Sequence, residues 1–155
     1  NILNYDYLWI RLRVKGGAYG CMSGFGRDGD CYMVSYLDPK LAETNEVYDK
    51  LPEYLEQFDQ DERSMDRYVI GAISEMDIPK NPAALGVRGL TAYLSGITRE
   101  QLQKERDEVI DTDAKEIRAL VPYAKAVLSN NCLCVVGNEN KIKENSSLFT
   151  TVRSL

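Results

Sequence analysis

The chain has no histidine. That gap removes the commonest general base, the usual base of a nucleophilic triad and the commonest zinc ligand. Positive charge is also short: 19 Lys and Arg stand against 24 Asp and Glu, for a formal net charge of -5. This balance argues against nucleic acid as a main partner, because phosphate binding needs clustered cations. Long apolar runs are missing too. None approaches the ~20 residues of a membrane span, so no membrane partner is expected. There is no secretory signal pattern. The chain opens on Asn1 rather than Met and is expected to be cut from something longer. Cysteine is present but sparse, at Cys21, Cys31, Cys132 and Cys134. The tightest spacing is C-x-C, a weaker metal signal than paired C-x-x-C. These residues are expected to be buried, reduced, structural thiols of an intracellular protein.

What remains is a chain of 155 residues, 44% hydrophobic and 28% charged. That is enough for one domain with a core of its own, so residues 1–155 are read as a single unit. Residues 7–15, "YLWIRLRVK", admit two readings. Leu8, Ile10, Leu12 and Val14 alternate as in a strand. Tyr5, Leu8, Trp9 and Leu12 equally line one face of a helix. If helical, the segment ends at Gly16 with Arg13 and Lys15 in its last turn, where cations suit the dipole.

Residues 19–36 read as a hairpin with a two-residue turn at Asp28-Gly29. That register sets Arg27 opposite Asp30 and Cys21 opposite Tyr36, and it puts Cys21 and Cys31 on opposite faces. Asp38-Pro39 then looks like an N-cap and first helical residue. Leu41, Thr44, Tyr48, Leu51, Leu55 and Phe58 follow at helical spacing, with Pro52 placed to bend or divide the helix. Ser64 is a candidate cap for a second helix. Asn81-Pro82 starts a third, ending near Gly96, and Thr98 with Gln101 forms a capping box for a fourth. The pattern restarts near Asp111-Thr112-Asp113 with Ile117, Leu120, Val121, Ala124 and Leu128 as a stripe. "CLCVVG" at 132–137 reads as a short buried strand, and 138–155 as a loop and terminal helix. A hairpin, several helices and a strand predict an α+β fold, with helices packed on an antiparallel sheet.

Three stretches could carry chemistry. "GFGRDG" at 24–29 matches G-x-G-x-x-G, but it lies within the hairpin rather than between a strand and a helix, so it is no dinucleotide fingerprint. "RVKGGAYG" at 13–20 lacks the Gly-Lys-Ser/Thr of a phosphate loop. From local sequence it is either a glycine hinge or a set of donors. The carboxylate-rich run at 99–118 reads as a solvated helix face with i,i+4 pairs.

"YLWIRLRVKGGAYG" at 7–20, followed by the hairpin and "SYLDPKLAET" at 35–44, resembles the pitrilysin-like zinc metallopeptidases, in their presequence-protease branch. The likeness continues through "AISEMDIPKNPAALGVRGLTAYLSGIT" at 72–98 and "CVVGNENKIKENSSLF" at 134–149, so it covers nearly the whole chain. The resemblance implies a partial pitrilysin/mitochondrial processing peptidase-like metallohydrolase domain, the later part of the last domain. In that family the zinc site, H-x-x-E-H with a further Glu, lies in the N-terminal half. The C-terminal half supplies an Arg and a Tyr, and the matching residues are Arg13 and Tyr19. The family also places "DYLWIRLRV" on a helix that ends at the glycines.

The implied function is a substrate-binding C-terminal segment of a zinc metalloendopeptidase that degrades short unfolded peptides. Arg13 and Tyr19 would stabilise the transition state, with Gly16 and Gly17 admitting the substrate backbone. Zinc would be a cofactor of the parent and not of this chain, and the partners would be peptide substrate and the N-terminal half. No peptidase activity is expected from the chain alone. The alternative is a non-catalytic peptide-binding module of a processing-peptidase-like complex. Half a domain should leave strand edges and apolar surface open, so self-association is also expected.

Overall fold

A computed structural model describes residues 1–154; Leu155, the end of the expected terminal helix, lies outside the described residues. The fold is α+β, as the sequence predicts. The described residues gather into two compact units. One is Asn1–Phe58 together with the segment from Arg118 onward, and the other is Asp59–Ile117.

The first unit opens with a helix over Leu3–Val14, wound with i→i+5 hydrogen bonds. The helical reading of 7–15 therefore holds, but the buried face differs from the one expected. Tyr7, Leu8 and Leu12 are buried, whereas Tyr5 is exposed. A turn of this kind takes more residues than the roughly 3.6 of an α-helix, which brings Tyr7 round to the side of Leu8 and Leu12. The Tyr7 hydroxyl donates to the Val47 carbonyl oxygen at 2.6 Å. Its ring lies 4.7 Å from that of Tyr54.

Strands β1 (Gly20–Phe25) and β2 (Cys31–Tyr36) form the expected antiparallel hairpin, in a register running from Gly20 opposite Tyr36 to Phe25 opposite Cys31. This is one residue away from the predicted register. A turn of Asp28-Gly29 alone would need positive φ at both residues. Only Gly29 adopts it, at +93°, and Asp28 does not. Arg27, Asp28 and Gly29 instead make a three-residue loop, closed by the Gly26 amide on the Asp30 carbonyl at 2.7 Å. Cys21 consequently faces Ser35, and Cys21 and Cys31 share one side of the hairpin, contrary to expectation. Outside the ladder, the Asn4 side chain takes up the free edge of β1. Its Oδ1 accepts from the Ser23 amide at 2.6 Å, and its Nδ2 donates to the Ser23 carbonyl at 3.2 Å.

Helix α1 (Leu41–Asp49) starts two residues later than predicted. The Asp38 carboxylate folds over Pro39 to accept from the Lys40 amide at 2.9 Å and the Thr44 hydroxyl at 2.7 Å, which holds Lys40 extended. Pro52 does divide the helix: α2 (Leu51–Glu56) is separate, with Pro52 in its first turn. Leu51, Leu55 and Phe58 are buried, as are Val121 and Ala124 of the later helix that packs on α2.

In the second unit, α3 (Glu62–Met76) is capped by Asp61 rather than Ser64. The carboxylate accepts from the Ser64 amide at 2.8 Å. A charged acceptor three residues ahead outcompetes a hydroxyl inside the first turn. Helix α4 (Pro82–Leu94) is capped by Asn81 and ends before Gly96, whose φ is +67°, as expected. Helix α5 (Arg99–Ile110) begins at the predicted capping box of Thr98 and Gln101.

The stripe predicted from 111–113 is broken into α6 (Ala114–Ala119) and α7 (Val121–Ser129), with Pro122 in the first turn of α7. Leu120 is exposed at the break. The expected strand at 132–137 does not form. No partner strand pairs with it among the described residues, and only Leu133 and Val135 are half-buried. A helix does follow, α8 (Glu139–Glu144), but a single 3-10 turn at Ser146–Leu148 and then irregular chain come after it. The cysteines depart from expectation in burial alone: all four are free thiols, as read, but Cys21 is half-buried and Cys31, Cys132 and Cys134 are exposed. No helix among the described residues is long and apolar enough to cross a membrane.

Candidate functional site

The predicted site residues lie on the link between the N-terminal helix and β1. Arg13 is in the last helical turn. The chain must then reverse into a strand within a few residues, and backbone bonds fix how it does so. The Gly17 amide donates to the Arg13 carbonyl at 3.1 Å, and the Ala18 amide to the Leu12 carbonyl at 2.9 Å. Gly17 has φ +89°, a conformation that strains residues with a side chain. Ala18 is buried and anchors the link. Tyr19 then joins the hairpin through its amide, which donates to the Tyr36 carbonyl at 3.2 Å.

This path brings Arg13 and Tyr19 together. The Arg13 guanidinium lies 5.9 Å from the centre of the Tyr19 ring and 4.1 Å from that of Trp9. The Tyr19 ring in turn leans on Tyr36, with centroids 5.8 Å apart at 57°. Tyr19 is 64% exposed, so most of the residue is open to solvent. Gly16 is half-buried beneath the turn and Gly17 is exposed on it. All four predicted residues therefore belong to one surface.

Two neighbours were not singled out by sequence reasoning. Trp9 had a readable signal, because it precedes Arg13 by four residues on a helix. Tyr36 had none, since its place beside Tyr19 depends on the hairpin register. Beneath this surface, burial pushes the Cys21 thiol above its ordinary pKa. The positive charge of Arg13 opposes that shift and the carboxylate of Asp38 adds to it. Cys21 is thus held as a neutral thiol rather than a ready nucleophile.

Tyr48, which follows on α1, has a buried hydroxyl with no well-formed hydrogen bond among the described residues, although Ser35 lies beside it.

Chemically, the surface offers a guanidinium and a phenol, both donors, and suits a carbonyl or carboxylate oxygen. It does not suit a metal ion. No group of three His, Cys, Asp or Glu among the described residues could hold one, and an arginine repels a cation. The residues present therefore do not fit zinc.

The sequence model described as "PreP C-terminal domain" matches residues 1–137. The chain is 47% identical, over its whole length, to a Clostridium perfringens protein named Protein HypA, of which it covers 16%. It is 30% identical over 99% of its length to Presequence protease 1, chloroplastic/mitochondrial, of Arabidopsis thaliana, covering 15% of that protein. A mitochondrial presequence protease of Schizosaccharomyces pombe is 28% identical over 84% of the chain, which covers 13% of it. The chain thus spans about a sixth or less of the length of these curated relatives.

Proposed function

The chain belongs to the PreP C-terminal domain family, and from that membership we propose that it is the substrate-binding segment of a zinc metalloendopeptidase that degrades short unfolded peptides. Arg13 and Tyr19 serve an active site whose zinc is held by the N-terminal half of the parent. The partners are the peptide substrate and that N-terminal half, and the compartment is the cytoplasm or an organelle matrix.

The observation that supports this reading is the meeting of an exposed tyrosine and an arginine at a bend made of glycines. Peptide hydrolysis places negative charge on the carbonyl oxygen of the bond being cut. A phenolic O–H can donate to that oxygen, and a fixed guanidinium can stabilise the charge or pin the neighbouring backbone carbonyl. The exposed turn at Gly17 has no side chain to keep a substrate backbone away.

In the intact parent, Tyr19→Phe and Arg13→Ala are each expected to lower turnover of an unstructured peptide by about 10²–10³-fold. Zinc content, measured by metal analysis, should stay close to that of the wild type. Wild-type turnover in both variants would sink the assignment. A parent that binds peptide through Arg13 and Tyr19 but lacks H-x-x-E-H would instead be a non-catalytic presenting subunit.

A further inference from the structure

Arginine side chains are long and flexible, and one that must meet a developing charge has to be held. The usual holder is a carboxylate, which occupies the guanidinium donors and cancels much of the charge. Arg13 is held differently. Among the described residues it makes no ion pair with a carboxylate and donates no side-chain hydrogen bond. Its planar head lies instead against two rings, Trp9 at 4.1 Å and Tyr19 at 5.9 Å. Stacking on a ring face fixes the plane of the guanidinium while leaving its five N–H donors free. The Tyr19 ring is the more distant of the two and is itself exposed. Trp9 is the closer and is half-buried, so it is the fixed member of the pair.

Resting on the function proposed above, we infer that Trp9 is a positioning residue for that site. Its indole face sets the plane of the Arg13 guanidinium and keeps the donors available to substrate. Indole is the best of the aromatic platforms for a cation, and a phenyl ring is a weaker one of the same kind. An aliphatic side chain fills space but offers no negative ring face. These distinctions separate a positioning role from simple packing.

The test uses Trp9→Leu, Trp9→Phe and Arg13→Ala in the intact parent, with an unstructured peptide as substrate and circular dichroism to verify folding. Trp9→Leu is expected to lower kcat roughly three- to tenfold with KM within about twofold, and Trp9→Phe to recover most of the loss. Wild-type kcat in Trp9→Leu, or equal losses in the two Trp9 variants, would overturn the inference. If Arg13→Ala itself turns over normally, the proposed site fails. If Arg13→Ala is slow while Trp9→Leu is normal, only the role of Trp9 fails.

A second measurement needs no catalysis. Trp9 is the only tryptophan in the chain, so its fluorescence reports on the contact directly. Arg13→Met removes the cation but keeps an unbranched stem over the ring, and it should change the emission of the 155-residue chain, whose folding is verified by circular dichroism in both forms. Unchanged emission would mean that the guanidinium does not rest on the indole.

Discussion

The two compact units are held by different means. In the unit that carries Arg13 and Tyr19, side chains far apart in sequence meet. Tyr7, Leu8, Leu12, Leu51, Leu55, Phe58, Val121 and Ala124 are all buried there. In residues 59–117, Met65 is the one buried hydrophobic side chain among the described residues, while Leu85, Val87, Leu90, Tyr93 and Leu94 of α4 lie exposed. The helices of that unit are defined at their starts: Asp61, Asn81 and Thr98 each accept from a first-turn amide. A cap needs only its near neighbours. Holding an arginine beside a tyrosine across a reversing chain needs distant packing, and the candidate site lies in the unit that has it.

The sharpest way to break this contrast is to delete one apolar side chain from each unit. Leu12→Ala should cost about 2–5 kcal/mol, because Leu12 is wholly enclosed. Leu90→Ala should stay within about 0.5 kcal/mol, because Leu90 is exposed. Denaturant titration of the two variants would measure both, and equal losses would erase the distinction.

The units should also respond to opposite ends of the pH scale. Burial pushes the Tyr54 hydroxyl up to about 12, with nearby Asp6 adding to the shift and Arg11 opposing it. Burial likewise raises Tyr7 and Tyr48. The folded first unit therefore favours neutral phenols. That contribution is complete below the unfolded value of about 10 and is lost as pH rises from there through about 12. In the second unit, hydrogen bonds from Ser64 hold the Asp61 carboxyl below its ordinary value of 3.8. That contribution is present above the ordinary value and is lost as pH falls through the lower folded one. Tyrosinate absorbance and helicity, followed together, should show the first unit yielding to alkali and the start of α3 fraying in acid. Simultaneous loss at either extreme would count against two separately held units.

The smallest expected effect sharpens the same point. Thr98→Ala removes half of a reciprocal cap and should cost about 1 kcal/mol, confined to the first turn of α5. Amide exchange should quicken there and remain unchanged in the hairpin.

This division also explains what could be read in advance. The Thr98–Gln101 box, the Asn81-Pro82 start and the break at Pro52 all depend on residues within one turn, and the sequence displays them. Of the candidate site residues, Arg13 and Tyr19 rest on family likeness and Gly16 and Gly17 on the chemistry of a sharp turn, since local pattern leaves 7–15 open between strand and helix. The hairpin register was missed because one φ, at Asp28, decides between a two- and a three-residue loop. Residues 132–137 were misread because a strand needs a partner, and no window of sequence says whether one is within reach. Tyr7 falls outside the stripe that periodicity marks, because periodicity assumes ordinary winding.

Gly20 stands opposite Tyr36, and even a single carbon added at Gly20 would run into the Tyr36 ring. That ring is the one on which Tyr19 leans. The place of the Tyr19 ring thus depends on Gly20 leaving room for the Tyr36 ring. One methyl group there would press on the candidate site through two rings without changing a charge or removing a donor, although Gly20 brings no side chain to it.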